Sequence, residues 1–273
     1  MNTLTLAQYF DSIESKLAIY KSDPEDNCCE HSHEFDEFVI VEEGYGLHVI
    51  NSKPIYVRKG DVFYVQRSDH HFYDELGVLK LTNILINPSV EFTYLKQIDI
   101  LLKQFSARDA NCYAWLSPAQ RSECGDLINQ IFTVNKSNPA LWESSFFTLL
   151  TTILKAQSIS QNSDTNYKLN KLLNYLQDNC FQDYDWNTLA NTFHLTSRTM
   201  FRHIKAATGL TPDSYLKRLR MLSARTKIVE TDLKITEIAF LCGFSNSNHF
   251  SSLYKKVFGV SPSEERKNHK PHD

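Results

Sequence analysis

Arg198 and Arg202 stand four residues apart in the run Ser197-Arg198-Thr199-Met200-Phe201-Arg202-His203. On a helix that spacing puts both guanidinium groups on one face. Each can donate two hydrogen bonds to guanine O6 and N7 in a DNA major groove, although on an isolated helix they would be ordinary solvated surface. Ser197, Thr199 and His203 complete that edge. A second run, Ser245-Asn246-Ser247-Asn248-His249, precedes an apolar stretch. Asparagine matches the edge of adenine, yet Ser-Asn runs also cap helices. Lys255 and Lys256 suit phosphate, a contact that positions a protein without reading sequence.

A different chemistry is available near the start. His31-Ser32-His33 is followed after three residues by Glu37 and after six more by Gly44, with His70-His71 further on beyond Gly60-Asp61. Inside a small barrel such groups could hold a divalent metal through three nitrogens and a carboxylate. They could equally bond the hydroxyls of a sugar, or be strand-end histidines at the surface. The pocket reading is adopted, with His31, His33, Glu37 and His70 as effector candidates and with no metal or cofactor expected. A nucleophile motif, a Gly-rich phosphate loop and a paired cysteine site are all missing from the sequence, so no enzyme is expected.

The elements that must position the basic and amide residues occur twice. LANTFHLTSRTMFRHIKAATGLTP runs from Leu189 to Pro212, and IAFLCGFSNSNHFSSLYKKVFGVSP from Ile238 to Pro262. Met200 matches Phe250, Ile204 matches Tyr254, Gly209 matches Gly259 and Pro212 matches Pro262. Each copy reads as a short helix, a tight turn and a longer helix ended by glycine with proline soon after. That is the helix-turn-helix unit, whose second helix enters the major groove. The two motifs are expected at about 186–209 and 235–258. Between them, Ser214 to Glu230 reads as a connecting helix with Tyr215, Leu219, Leu222 and Val229 on one face. Lys217, Arg218, Arg220 and Arg225 fall on the others.

Charge follows the same division. The 273 residues carry a net charge of only -3, but from Thr165 onward there are 16 Lys+Arg against 10 Asp+Glu, and before it 13 against 22. A basic tail and an acidic front suit a chain of which one half faces phosphate. The six cysteines show neither metal-ligand spacing nor secreted-scaffold density. With no leader-like start and no long apolar stretch, a cytoplasmic protein with reduced thiols and no membrane contact is expected.

From about Cys29 to Pro88, short β-branched and aromatic segments alternate with turn signals, which predicts a small antiparallel barrel or sandwich. Helical periodicity follows, with Trp142 to Leu154 rich enough to cover the barrel and meet a second copy. The fold class is therefore α+β. A cupin-like antiparallel β-barrel with flanking helices occupies 1–157, a polar linker 158–168, and an all-α domain with two helix-turn-helix motifs 169–273.

The tail resembles the AraC/XylS family of bacterial transcription regulators. The matching residues are Leu189-Ala190, Ser197-Arg198, Phe201-Arg202, Gly209-Leu210-Thr211-Pro212, Ile238-Ala239, Gly243-Phe244, Phe258-Gly259 and Ser261-Pro262. The front resembles the cupin-type sensor of that family through the His31 to Gly44 pattern and Gly60-Asp61. Within the family the chain is most similar to activators of L-rhamnose operons, through HEFDEFVIVEEGYGLHVIN, RTMFRHIKAATGLTPDSYLKRLRM and CGFSNSNHFSSLYKKVF. The resemblance implies a homodimeric activator of L-rhamnose catabolism and transport genes. It would respond to L-rhamnose in the barrel and bind a promoter-proximal direct repeat in double-stranded DNA. The DNA contacts implied are Ser197, Arg198, Thr199, Arg202 and His203 in the first motif and Asn246, Ser247, Asn248 and Lys255 in the second. Glu237 would meet the sigma subunit of RNA polymerase. The alternatives are a regulator of a different sugar operon and a metal-dependent cupin enzyme.

Overall fold

A computed structural model describes residues 2–22, 30–74, 78–108, 112–134, 137–160 and 164–269. Cys28 and Cys29 lie outside them. The chain forms two compact units that divide between Tyr167 and Lys168. Among the described residues, no helix is long and apolar enough to cross a membrane.

The N-terminal unit begins with strand β1 (Asn2–Leu4), helix α1 (Leu6–Tyr9) and strands β2 (Leu17–Ser22), β3 (His31–His33) and β4 (Asp36–Glu43). It continues with β5 (Tyr45–Ile50), β6 (Lys53–Arg58), β7 (Asp61–Val65), β8 (His71–Asp74) and β9 (Lys80–Ile86). Helix α2 (Ile98–Leu102), β10 (Ala114–Trp115), α3 (Pro118–Asn129) and α4 (Pro139–Ser160) complete it. The strands make two five-stranded sheets, β1-β3-β8-β5-β6 and β10-β7-β4-β9-β2. One departure from the expected antiparallel pattern is β1, which pairs in parallel with β3.

Strand β4 shows why its apolar run is unbroken. Val39 and Val41 pack with Val57, Phe63 and Leu81 between the sheets. Phe38 and Ile40, of opposite parity, pack with Ile128, Phe146 and Leu150 of the covering helices. A strand buried on both faces cannot alternate with polar residues. The β4–β5 connection depends on Gly44, at φ +83°, where a Cβ would lie 1.5 Å from the Val78 carbonyl oxygen.

The C-terminal unit is helical: α5 (Asp164–Asp178), α6 (Trp186–Thr192), α7 (Ser197–Thr208), α8 (Pro212–Glu230), α9 (Ile235–Leu241), α10 (Ser247–Phe258) and α11 (Pro262–His269). The segment expected as a polar linker contains the boundary between the two units and is helical over most of its described length. Helix α4 runs through Ser160 and α5 starts at Asp164, and residues 161–163 lie outside the described ones. With neither glycine nor proline in Ser158 to Lys168, nothing there forbids helix.

Candidate nucleic-acid interface and buried histidine cluster

The two helix-turn-helix motifs are built by matching local chemistry. Thr196 caps α7 by accepting from the Thr199 N–H, and Asn246 caps α10 by accepting from the Asn248 and His249 N–H groups. Gly209 and Gly259 end the two helices in the left-handed conformation, at φ 71° and 79°. Both turns close alike, with Leu195 N–H donating to the Ala190 carbonyl at 2.9 Å and Phe244 N–H to the Ala239 carbonyl at 3.0 Å. The aligned pairs Met200/Phe250 and Ile204/Tyr254 are all fully buried, as are Ile238 and Ala239. The second motif packs onto α8 through Met221, Ala224 and Ile228.

With the apolar side of α7 turned inward, Arg198 and Arg202 are left exposed. His203 is half-buried. Ser197 and Thr199 are also half-buried and serve the local frame: the Ser197 hydroxyl donates to Asn187 Oδ1, and Thr199 receives the Thr196 hydroxyl at 2.9 Å. Just before α10 the Asn246 side-chain Oδ1 accepts from two backbone N–H groups at 2.9 Å each and so caps the helix. Asn248, His249 and Lys255 remain exposed, and Ser247 is half-buried. Lys255 lies in the last turn of α10, where a cation also suits the helix dipole. Glu237 is exposed, and its carboxylate accepts from the Lys234 N–H at 2.9 Å, closing the first turn of α9.

One basic residue departs from expectation. Arg220 is not on a solvated face of α8 but is only 8% exposed. Its guanidinium donates to the carbonyls of Cys180 at 2.7 Å, Gln182 at 2.8 Å and Gly243 at 3.0 Å. Gly243, at φ +77°, is the residue that can stand there, since a Cβ would come within 3.0 Å of the Arg220 guanidinium carbon.

In the N-terminal unit, strand parity gathers histidines. His31 and His33 share one face of β3, and His31 pairs in register with His71 of β8. His48 of β5 lies opposite Tyr73. His31, His33, His48 and His71 are between 0 and 3% exposed, and Glu37 is 6% exposed. His33 Nε2 lies 2.7 Å from His71 Nε2, and His48 Nε2 lies 2.8 Å from His71 Nδ1. The Glu37 carboxylate is 3.7 Å from His33 Nε2 and 3.9 Å from His71 Nε2. Thus three of the four effector candidates come together and one does not. His70, one residue out of phase with the inward face, reaches Glu30 instead, at 3.6 Å. His71 takes its place, and His48 joins it. The signal that could have separated 70 from 71 is pairing parity, since a shift of one residue turns every side chain over.

Burial disfavours charge on these rings. The pKa of His33 falls to about 4 and that of His48 to about 3, in both cases chiefly through desolvation. His71 is pushed well below the ordinary histidine value, first by desolvation and then by its histidine neighbours. Folded pKa values below the unfolded value of about 6.5 mean that the unfolded chain binds more protons under acid conditions. The stability that depends on neutral rings is complete above about pH 6.5 and is lost as pH falls towards 4 and 3. Denaturant titrations of the full chain should therefore show the β-rich unit weakening by a few kcal/mol between about pH 6.5 and 4. A flat profile over that range would contradict the buried neutral cluster.

Comparison with known proteins matches residues 16–133 to the AraC-like ligand binding domain and residues 189–268 to a helix-turn-helix domain. The chain is 34% identical over 270 residues to the HTH-type transcriptional activator RhaS of Enterobacter sp. (strain 638), covering 97% of each chain. It is 35% identical over 270 residues to RhaS of Escherichia fergusonii, again covering 97% of each. To RhaS of Mannheimia succiniciproducens it is 34% identical over 264 residues, covering 96% of this chain and 98% of that one. Sensor-type sheets in front, two capped helix-turn-helix units behind and likeness over nearly the whole length agree: the chain belongs to the AraC family of helix-turn-helix transcription regulators.

Proposed function

We propose that this protein activates transcription of L-rhamnose catabolism genes in response to L-rhamnose bound by its N-terminal unit. It acts as a homodimer on a promoter-proximal direct repeat, reading bases with Arg198 and Arg202 and meeting the sigma subunit on the Glu237 side of α9. The observation that carries this reading is the likeness, over 97% of the chain, to relatives named RhaS activators.

The sugar is assigned to a cleft and not to the histidines. The cavity that reaches His31, Glu37 and His71 measures about 10 Å³, room for one water-sized sphere. A cleft of about 580 Å³ elsewhere in the same unit is lined by Lys16, Asp36, Gln66, Arg67, Phe92 and Asp99 among others. Carboxylates there can accept from sugar hydroxyls, the cations and the amide can donate to sugar oxygens, and a ring can pack on the apolar face of a pyranose. Calorimetry on the full chain should show saturable L-rhamnose binding, weakened about tenfold or more by Arg67→Ala and unchanged by His70→Ala. Footprinting on the neighbouring genomic DNA should change when L-rhamnose is added. A folded protein that ignores L-rhamnose and answers another sugar would make it the regulator of a different operon.

A further inference from the structure

The cleft assigned to the sugar has one wall without regular structure. Residues 87–97 form neither helix nor strand, and Pro88, Phe92, Leu95, Lys96 and Gln97 line the cleft. A segment with no hydrogen-bonded ladder of its own keeps its shape only where other groups hold it. Gln97 sharpens the need, because its φ of 58° lies in the left-handed region that residues other than glycine seldom adopt.

Three anchors hold it. The Lys16 ammonium donates to the carbonyls of Asn87 and Val90 and lies 4.6 Å from the centre of the Phe92 ring. That ring stacks on Phe146 of α4, with centroids 5.6 Å apart and planes at 10°, and lies 5.9 Å from Trp142. The third anchor is Glu143, on the same helix and only 1% exposed. Its Oε1 accepts from the Thr93 N–H at 2.7 Å, and its Oε2 accepts from the Tyr94 N–H at 2.7 Å and the Leu95 N–H at 2.9 Å. A carboxylate suits three donors because both its oxygens only accept, and its charge strengthens each bond. An amide of the same size would turn an NH₂ group towards one of these N–H groups. A side chain of α4 thus fixes the backbone immediately before Lys96 and Gln97.

We infer that Glu143 positions this wall and is the contact through which an occupied cleft acts on α4. The inference rests on the proposed reading of the cleft as the L-rhamnose site. Glu143 does not line the cleft; it acts through Leu95, Lys96 and Gln97, which do. A ligand that touches those residues favours one arrangement of the segment, and with it the setting of α4 that holds that arrangement. By linkage, the same setting of α4 raises affinity for the sugar in turn. Helix α4 is 22 residues long and carries the chain to Ser160, shortly before the second unit begins at Lys168. A shift at Glu143 is therefore passed along a stiff element and not dissipated in a loop.

The test compares wild-type, Glu143→Gln and Arg67→Ala full-length proteins with L-rhamnose. It uses calorimetry and hydrogen exchange of peptides covering 92–97 and α4. In the wild type, L-rhamnose should change exchange in both peptides with the same half-saturation. In Glu143→Gln the amides of Thr93, Tyr94 and Leu95 should exchange about tenfold faster or more, and L-rhamnose should bind about tenfold more weakly. Saturating sugar should then leave exchange in α4 unchanged. A carboxylate that only held the fold together would lower the melting temperature and leave the α4 response intact, and that result would overturn the inference. So would unchanged exchange at 93–95. Should Glu143→Gln fail to fold, the wild type decides, because a sugar response in 92–97 with none in α4 also overturns it. If Arg67→Ala keeps full affinity and 92–97 ignores the sugar, the cleft assignment itself fails and takes this inference with it.

Discussion

Replacing Arg198 or Arg202 with alanine should lower specific DNA affinity by about 1–3 kcal/mol each and relax base preference at one position each. Both side chains are exposed on α7, while Met200 and Ile204 bury the opposite face. The loss therefore comes without loss of fold, and melting temperature should not move. Lys255→Ala is the contrasting case. Its ammonium is a candidate phosphate contact at the C-terminal end of α10, so all DNA should bind more weakly and the salt dependence should become shallower by about one ion. Fluorescence anisotropy on operator and scrambled duplexes at several salt concentrations separates the two behaviours. Unchanged affinity and unchanged preference in both arginine variants would remove α7 from the reading surface.

The duplicated tail was legible because everything that defines it is local. Caps at Thr196 and Asn246, left-handed glycines at Gly209 and Gly259, and buried pairs at i and i+4 lie within a few turns of one another. Local signals have a limit even there. The Ser-Asn run carried two readings, base contact and capping, and only the bonds from Asn248 and His249 N–H show Asn246 occupied as a cap. The sheet-rich half was legible as a class and less so in detail. Strand β2 has Asp23-Pro24 just beyond it to mark its end, but its short half-buried run reads weakly as a strand and exists by pairing with β9, far along the chain. The choice between His70 and His71 likewise rests on the register of β8 against β3 and β5, which no short window contains. His48 reads as one more residue of an apolar strand until Tyr73 and His71 are placed beside it.

Arg220→Ala should be strongly destabilising for a change of one polar residue on α8, costing roughly 3 kcal/mol or more. Sequence offers Arg220 as one charge among several on a polar helix. In the fold it is a bracket. Its donors satisfy the Cys180 and Gln182 carbonyls beyond the end of α5 and the Gly243 carbonyl in the turn of the second motif, and Asp183 adds a carboxylate at 3.2 Å. Carbonyls past a helix end have no partner within the helix, so removing the guanidinium leaves part-buried acceptors bare. Because the approach to the first motif and the turn of the second share this one group, both should loosen together. Lysine should not rescue, because a single ammonium cannot span acceptors on opposite sides as a planar fork does. Urea denaturation of the full chain, followed by operator binding at a fixed temperature, checks both parts. If Arg220→Ala and Arg220→Lys shift the midpoint no further than Arg202→Ala does, the two motifs are held by their apolar contacts with α8 and the guanidinium is incidental.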